Sequence, residues 1–575
     1  MKKNKLKIIK KEEAKYYFII IIVSLIIGSL LFIGYPDGHD TIYHISKAVS
    51  TEIALKEGQI LPLIASNYMS DFGYSWNIFY PPLSNYIMMA IKVITHSYVT
   101  DLNILIFISV LISGIAMFNF IKKVTKSNNT ALLASVIYML APYRLVDIYI
   151  RGALGEVMAF MFLPFVFHGL YNIIEDNGKR HYLLAIGAIG LLLSHNISTL
   201  LTIIAALIYV LLNIKKLFNR TVIKYLIINI IFIIAITMFF YGPMLQNKMN
   251  ADYAVFNETK IDKDLLHDYS VYVYQLLFGK MQHGGSYPLD VDNSQNVDMC
   301  FAVGLTILVP ILFTPFVYKK IDKNKRKMYL TTLFTGLLFL ILTTTIIPWN
   351  KLPDFIVFIQ FTYRFLLMAT FFLSIIAAIN IYKVSETLDI KTVMVYTMIA
   401  LMYITPLMNS AKIDKVDWKK FYSTETIEAG QTFSDFSATY EYLPSKAFNN
   451  KNYIVTRSQE PIIQEGYADI SESKKEKLSI TFKIENVTQN TKVELPFIYY
   501  QGYEATINGE KLEISESDNG FVQVTLKEGE KETVEAKYRG TILYYTCLII
   551  SIIGMIAFII YITYVEFKYR KETNL

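Results

Sequence analysis

Long apolar runs, each closed by polar or basic residues, recur along the first 409 residues and again after residue 540. Each run approaches the roughly 20 residues that an α-helix needs to cross a bilayer. The first run, 16–34, is too long for a signal peptide and lacks a small-residue cleavage site, so it is a retained span. We count twelve transmembrane helices. The apolar segment 83–96 is short and is interrupted by Lys92, so we interpret it as a helix at the membrane surface.

Residues 410–540 contain no apolar run long enough to span a membrane. Apolar and polar residues alternate there instead, as in the segments 477–484 and 520–526, which is typical of half-buried β-strands. The dipeptide Asn508-Gly509 predicts a tight hairpin turn. The chain is therefore predicted to be a mainly α, polytopic membrane protein that carries a β-rich domain outside the membrane.

This pattern divides the chain into three parts. Residues 1–409 form the transmembrane domain, with a first outer loop at 35–100 and a long outer loop at 242–298. Residues 410–540 form the β-rich extracytoplasmic domain. Residues 541–575 form the final transmembrane helix and a cytoplasmic tail.

The basic residues fix the orientation of the spans. They cluster before the first span and at 122–126, 179–180, 215–220, 319–327 and 568–571. With twelve spans, all of these clusters lie in the cytoplasm together with both termini, as the positive-inside rule requires. If the segment 83–96 crossed the membrane, the downstream clusters would be inverted. We therefore expect a multi-pass membrane protein with both termini in the cytoplasm and with the bilayer as a partner.

Composition adds two limits to this picture. The net charge of +7 follows from the cytoplasmic clusters, so it does not favour a nucleic-acid partner. The chain has only two cysteines, both beside or within apolar spans, and no Cys-x-x-Cys pair. Neither a disulfide framework nor a structural zinc site is expected.

The first outer loop begins with unusual chemistry, because Asp37, His39, Asp40 and His44 fall within eight residues. Apolar residues then recur at helical spacing from Thr41 to Glu57, and Gly58 stands where a helix would end. We expect an amphipathic helix that lies on the bilayer, with Asp40 and His44 one turn apart on its polar face. The alternative is that Asp37 caps this helix and His44 points into lipid headgroups.

Other ionisable residues are expected on the same outer face, namely Arg144, Asp147, Arg151, Glu156, His195 and Arg364. The middles of the spans carry almost no charge, whereas a carrier of polar solutes usually keeps ionisable groups near the midplane. Basic groups suit a phosphate, and carboxylates or imidazoles suit acid–base work on a hydroxyl. The structural alternatives are that Arg144 and Arg151 pair with Asp147 and Glu156, that His195 caps a helix, and that Arg364 extends to the headgroups.

Seven motifs, in order along the chain, resemble those of the bacterial "6-pyruvoyl-tetrahydropterin synthase-related" membrane proteins, which are similar to YfhO-like proteins and to the wider GT-C glycosyltransferases. They are Gly38–His44, Phe79–Leu83, Pro142–Glu156, Ser194–Asn196, Ile359–Arg364, Glu441–Pro444 and Leu495–Tyr503. The resemblance covers nearly the whole chain. The pterin enzyme in the family's label is a soluble zinc protein, and we do not expect its activity because its ligand set is absent.

The GT-C resemblance implies a GT-C-like transmembrane domain and an acidic residue in the first outer loop, which is Asp40 or Asp37 here, with His44 beside it. It implies a second acidic motif after the third span, at Asp147 or Glu156. The retained arginine of Phe361-Thr-Tyr-Arg364, where the family often has Phe-Pro-Trp-Arg, would bind the donor phosphate with Arg151 and Tyr363, while His195 and Arg144 would line the same cavity. No cofactor is required. Metal-dependent members carry an Asp-x-Asp motif, whereas Asp147 stands alone here. We therefore assign no metal ligand and keep a divalent cation as an alternative.

These inferences converge on a membrane glycosyltransferase. It would move a sugar from a polyprenyl-phosphate donor to an envelope polymer or a glycolipid acceptor on the outer side of the membrane. Asp40 would act as the general base on the acceptor hydroxyl, and Arg364 would stabilise the leaving phosphate. The alternatives are a transporter or flippase of lipid-linked sugars and a non-catalytic scaffold for envelope assembly.

Overall fold

The computed structural model describes residues 2–259, 261–285, 298–385, 389–414, 440–488 and 490–574. Most of the described chain is helical. The helices up to residue 410 are α1 Lys2–Ile27, α2 Thr41–Lys56, α3 Leu83–Thr95, α4 Tyr98–Thr125, α5 Asn128–Met139, α6 Pro142–Tyr149, α7 Leu154–Glu175, α8 Leu183–Leu192, α9 Asn196–Leu212, α10 Ile214–Leu217, α11 Arg220–Asn250, α12 Ala254–Asn257, α13 Lys263–Asp268, α14 Val273–Phe278, α15 Leu305–Ile311, α16 Thr314–Lys320, α17 Lys323–Leu342, α18 Phe365–Ser385 and α19 Ile390–Ser410.

Seven helices within the described residues are long and apolar enough to cross a membrane, and the pair α5–α6, bent by 44°, makes an eighth span if it is counted as one. Helices also lie at the other predicted spans, but α8 and α9 have only 10 and 17 residues. The α15–α16 segment is broken at residues 312–313. The structure therefore supports a polytopic membrane protein, and the count of twelve spans stays a prediction.

The helix ends alternate between two ends of the bundle. At the end that we call the basic end, the predicted cytoplasmic clusters meet in ion pairs, which are Lys122–Glu13, Lys123–Asp176, Lys216–Glu175 and Arg180–Glu566. At the opposite end, which we call the loop end, Asn103 bonds the carbonyl of Gly34 and Tyr35 bonds Asp414. Helices α4 and α7 therefore run from the loop end to the basic end.

Helix α3 begins and ends at the loop end. The amide of Leu83 donates to the carbonyl of Leu193, which lies near the loop end of α8, at 2.9 Å. At the other terminus of α3, Thr95 bonds Asp101 in the first turn of α4. Val93 and Ile94 are exposed on its surface. The helix thus turns back without crossing the bundle, as the surface-helix interpretation of this segment requires.

The chain after residue 440 is rich in β-structure, as predicted. Strands β3 Ile462–Glu465, β6 Thr491–Ile498, β9 Glu513–Glu516 and β10 Phe521–Leu526 form one antiparallel sheet in the order β3-β6-β10-β9. Strands β4 Asp469–Glu476, β5 Ser479–Glu485, β7 Tyr503–Ile507, β8 Glu510–Lys511 and β11 Glu532–Tyr538 form a second in the order β4-β5-β11-β7-β8. Asn508 and Gly509 both have positive φ angles, as the predicted tight hairpin turn requires. Of the predicted domain 410–540, residues 415–439 lie outside the described residues.

Three further helices and a two-stranded ribbon complete the description. Two short helices, α20 Ser445–Asn449 and α21 Lys451–Thr456, precede the sheets, and α22 Ile542–Asn574 returns the chain to the basic end. A two-stranded ribbon pairs β1 Tyr35–Pro36 with β2 Ile413–Asp414. The ribbon therefore connects the start of the first loop to the end of α19.

The two sheets share a hydrophobic core with residues 61–79 of the first loop. Phe72 is fully buried, its ring lies 5.2 Å from that of Phe521, and its carbonyl accepts from the amide of Ile498 at 3.0 Å. Trp76, which is also fully buried, contacts Tyr442. The aromatic residues of this loop are therefore part of the β-rich domain's core rather than residues of a membrane surface.

Replacing Phe72 with alanine should destabilise the protein by about 3–5 kcal/mol, the range for removing a buried phenyl group. Phe355→Ala is the matched control, since that side chain is 70% exposed and its loss should cost less than about 0.5 kcal/mol. Denaturant unfolding of the purified protein, followed by near-ultraviolet circular dichroism, measures both. Equal effects of the two substitutions would contradict the shared core.

Candidate functional site

Two glycine-containing segments meet at the loop end and bring the predicted residues together. The amide of Asp40 donates to the carbonyl of Arg151 at 2.7 Å, and that of His39 donates to Ile150 at 3.1 Å. Gly152 has φ +62°, and a Cβ there would lie 2.2 Å from the Thr41 hydroxyl, so only glycine fits. The motifs 38–44 and 142–156 are thereby joined through their backbones.

Arg151 is the centre of a buried ion-pair network. Its Nη1 lies 2.5 Å from Asp147 and 3.0 Å from Glu156, and its Nη2 donates to Glu156 at 3.0 Å. Tyr143 donates its hydroxyl to Glu156 at 2.8 Å. All four side chains are nearly inaccessible to solvent. Arg151 therefore pairs with Glu156, as the structural alternative proposed, and it also pairs with Asp147.

Arg364 reaches the same network from the start of α18. Its Nε lies 3.1 Å from Glu156, and its Nη1 donates to the Gln360 side chain at 2.7 Å and to the Ile359 carbonyl. Its Nη2 makes no hydrogen bond within the described parts of the chain. The side chain retains 10% of its exposure. The Nη2 group of Arg364 is thus available to a ligand, and its Nε, although within ion-pair distance of Glu156, makes no hydrogen bond among the described residues. An arginine that extends to the headgroups would not be held in this way.

Asp40 lies close enough to Arg151 and Arg364 for their charges to act on its carboxyl group, and it remains partly exposed. Desolvation raises the pKa of its carboxyl group above the ordinary 3.8, and the nearby charges of Arg151 and Arg364 partly oppose this rise. Its carboxylate makes no hydrogen bond among the described residues. A carboxylate with a raised pKa and unused acceptor capacity can take a proton from a bound hydroxyl.

His195 adds a neutral imidazole to the site. Its Nδ1 accepts from the Ser198 amide at 3.3 Å, so His195 is the N-cap of α9, as its structural alternative proposed. Burial lowers its pKa to about 3, so the ring is neutral at pH 7. A Cβ on Gly155 would lie 3.0 Å from this ring and 2.8 Å from the Tyr80 hydroxyl. Gly155 therefore allows His195 and Tyr80 to pack against the start of α7.

The prediction that α2 lies on the bilayer with its polar face outward is wrong. His44, Lys47 and Thr51 are 2% exposed or less, whereas Ile42 is 36% exposed. Residues of the first loop and α3 cover the polar face, and Asn77 and Asn85 both donate to the Thr51 hydroxyl. The sequence pattern showed the two faces of the helix but not that protein, rather than water, would cover the polar one.

Burial also changes the chemistry of His44. Desolvation lowers its pKa well below the ordinary 6.5, and among the described residues its Nδ1 has no hydrogen-bond partner. The Nζ of Lys47, one turn further along α2, lies 3.4 Å from the centre of the Tyr80 ring. His44 is therefore buried within the protein. The alternative that it points into lipid headgroups is wrong.

Three other predicted site residues lie in different surroundings. Arg144 is fully buried against Tyr138 and Phe160 and donates to the Ser109 carbonyl. Its predicted place in an outer cavity is therefore wrong. Within the described residues it also does not pair with Asp147. Tyr363 is buried, with the Arg151 guanidinium 5.2 Å from its ring centre. Asp37 is exposed, and it does not cap α2, whose N-cap is Asp40 without a side-chain bond.

Sequence reasoning missed three residues of this site, namely Tyr80, Tyr143 and Lys47. Tyr80 and Tyr143 belong to the motifs Phe79–Leu83 and Pro142–Glu156, but neither was predicted to reach the site. Their hydroxyl groups reach the site only because α6 and the first loop fold against α7. Within the described residues, no group of three or more histidine, cysteine, aspartate or glutamate side chains is arranged to hold a metal ion.

Two comparisons place the chain among known proteins. A family model described as "6-pyruvoyl-tetrahydropterin synthase related domain; membrane protein" matches residues 78–411, more than half of the chain. The matched range contains Arg151, Glu156 and Arg364 but begins after Asp40. A protein of Lactococcus lactis subsp. cremoris (strain MG1363), described as "Uncharacterized protein", is 25% identical over 594 residues, and the alignment covers 93% of each chain.

Replacing Glu156 with glutamine should destabilise the protein by about 3–5 kcal/mol, since Arg151 and Arg364 would lose a shared counter-charge inside the protein. Glu175→Gln is the matched control on the same helix, because its pair with Lys216 is partly exposed and should contribute less than about 1 kcal/mol. Chemical unfolding of both purified variants measures the difference. If Glu156→Gln lowers the free energy of unfolding no more than Glu175→Gln does, the ion pairs of Glu156 with Arg151 and Arg364 do not stabilise the protein.

Proposed function

This chain belongs to the 6-pyruvoyl-tetrahydropterin synthase-related family of membrane proteins, and we propose that it is a glycosyltransferase of the GT-C type. It transfers a sugar from a polyprenyl-phosphate donor to a cell-envelope polymer or glycolipid. The observation that carries this proposal is that Asp40 and Arg364, 324 residues apart in the chain, both join the Arg151–Glu156 pair at one end of an apolar helix bundle, Asp40 through its backbone amide and Arg364 through its guanidinium. A carboxylate with free acceptor capacity and a guanidinium with a free donor are the two groups that this transfer needs.

The chemistry assigns one role to each group. The acceptor hydroxyl oxygen bonds to the anomeric carbon while the bond from that carbon to the phosphate oxygen breaks. Asp40 takes the hydroxyl proton, and Arg364 donates hydrogen bonds to the departing polyprenyl phosphate as its negative charge develops. Arg151, already neutralised by Asp147 and Glu156, positions the loop that carries Asp40 and is not a phosphate ligand in this proposal.

A polar cleft offers a place for the acceptor. It has a volume of about 530 Å³ and lies between the first loop and the β-rich domain, where Glu57, Asp71, Gln459 and Lys475 line it. Glu57 follows α2, so the cleft lies about 24 Å from Asp40, at a rise of roughly 1.5 Å per helical residue. A cleft at this distance would hold a remote part of a polymer, not its reacting hydroxyl.

The orientation is part of the proposal. The loop end, with the site and the β-rich domain, faces outward from a bacterial cytoplasmic membrane, and the basic end with both termini faces the cytoplasm. The ion-paired clusters of the basic end support this orientation, because lysine and arginine are retained on the cytoplasmic side.

Single cysteines test the orientation in a background where Cys300 and Cys547 are alanine. Lys531→Cys, on the exposed surface of the β-rich domain, should react with a membrane-impermeant maleimide in intact cells. Lys215→Cys, exposed at the basic end, should react only after the cells are permeabilised. The reverse result would invert the protein in the membrane and remove the proposed site from the outer face.

Asp40→Asn should lower turnover by about 100- to 10,000-fold, the value of a positioned general base, without greatly weakening donor binding. Arg364→Lys keeps the charge but loses the planar fork, so it should mainly weaken donor binding. The assay is transfer of labelled sugar from polyprenyl phosphate in membranes that contain equal amounts of each variant. Asp37→Asn is the matched control, since Asp37 is exposed and lies outside the network.

The pH profile supplies an independent readout. The base must be ionised, so activity should fall as the pH drops through the pKa of Asp40, and burial places this limb above the ordinary 3.8. If Asp40→Asn keeps more than about a tenth of wild-type turnover, the general-base role is excluded for Asp40. Lipid-linked sugar crossing the membrane without covalent transfer would identify a transporter, and full function of Asp40→Asn in cells would identify a scaffold.

A further inference from the structure

A second cavity, of about 580 Å³, lies at the basic end of the bundle, far from Asp40. Helices α4 and α7 and the turn before α8 form its walls. Five cationic side chains line it, which are Lys122, Lys123, Lys126, Lys179 and Arg180. A cavity of this size is in the range of small-molecule and lipid-headgroup sites.

The lining of the cavity changes from apolar to cationic along α4. Ile115 and Ala116 lie at one side, Asn119 follows one turn later, and the lysines stand at the helix end. Phe165 on α7 and Leu183 on α8 extend the apolar wall. A phospholipid has the same gradient, because its acyl chains meet the apolar part and its headgroup meets the charges.

The charges of this cavity are only partly compensated. Lys122 pairs with Glu13 at 2.6 Å, Lys123 with Asp176 at 2.5 Å, and Arg180 with Glu566 at 2.7 Å. Lys126 and Lys179 have no ion pair within the described residues. The cavity therefore retains positive charge, which suits an anion and not a zwitterion.

Asn172 is a second, independent indication of a ligand. It lines the cavity and is 2% exposed, and its Oδ1 has no hydrogen-bond partner in the described part of the chain. A buried acceptor without a donor costs about 1–3 kcal/mol, so such atoms are usually satisfied by water or a ligand. A headgroup hydroxyl would supply the missing donor.

We propose that this cavity binds an anionic phospholipid with a hydroxylated headgroup, such as a phosphatidylglycerol, at the basic end of the bundle. The phosphate contacts Lys126 and Lys179, a headgroup hydroxyl donates to Asn172, and an acyl chain lies along Ile115 and Phe165. The site is separate from the proposed transferase site and does not depend on the reaction assigned there.

The test uses the full-length protein, delipidated in a neutral detergent, with thermal unfolding as the readout. Phosphatidylglycerol should raise the unfolding midpoint in a saturable manner, because a ligand that binds the folded state stabilises it. Phosphatidylcholine and inorganic phosphate should not. An equal rise with phosphatidylcholine would show unspecific lipid binding, and a rise with inorganic phosphate alone would assign the cavity to a soluble anion. Either result overturns the proposal.

Charge removal identifies the cavity as the site. Lys126→Gln combined with Lys179→Gln should raise the apparent dissociation constant about 25-fold, about fivefold for each cation removed beside an anionic lipid. The matched control is Lys215→Gln with Lys327→Gln, which removes the same charge from exposed positions at the same end. Equal weakening in both pairs would contradict the site. Lys179→Gln alone, at an exposed position, carries the test if the double variant does not fold.

Asn172→Leu tests the headgroup contact. The wild-type protein should prefer phosphatidylglycerol to phosphatidic acid, whose headgroup lacks the glycerol hydroxyl groups. The leucine variant keeps the branched shape of the side chain but has no acceptor, so its preference for phosphatidylglycerol over phosphatidic acid should be smaller than that of the wild type. A preference of unchanged size would exclude Asn172 from the site.

Discussion

Arg151 carries a charge that this fold buries, and the loop end of the bundle is arranged around that constraint. A guanidinium removed from water costs several kcal/mol unless carboxylates and hydrogen bonds replace the water. Asp147 and Glu156 provide the carboxylates, from the helices on either side of the residue. The carbonyl of Arg151 then accepts the amide of Asp40, so the residue that needs compensation also positions the first loop. Arg364 shares Glu156 and so reaches the site from a third helix.

The same loop connects the membrane part of the chain to the β-rich domain. Residues 61–79 contribute their aromatic side chains to the core of the two sheets, while the amides of His39 and Asp40 donate to the segment before α7. The first loop is therefore in contact with both the β-rich domain and the candidate site. Burial of α2 between these parts explains why its polar face contains a histidine and a lysine without contact with solvent.

The two ends of the bundle use charge in different ways. At the loop end, opposite charges are buried and share partners, which fixes geometry. At the basic end, the ion pairs are partly exposed and each contributes little stability. In the proposed orientation, the excess of lysine and arginine keeps this end on the cytoplasmic side of the membrane. The cavity at that end is lined by Lys126 and Lys179, which have no ion pair among the described residues.

The sequence by itself determined the class of the protein and the positions of most elements. Apolar runs predicted helices, alternation predicted the β-rich region, and Asn508-Gly509 predicted its turn, because these patterns depend on neighbours in the chain. It also identified Asp40, Arg151, Glu156 and Arg364 as chemically unusual residues for their positions.

Only the tertiary structure decided which of these residues meet, because contacts across hundreds of residues leave no periodic signal. Arg144 and Arg151 look equivalent in the sequence, yet one packs against aromatic rings and the other binds two carboxylates. The polar face of α2 appeared suited to lipid headgroups, since the pattern of a helix does not specify what covers it. Tyr80 and Gly155 acquired their places only when the first loop and α9 packed against the start of α7.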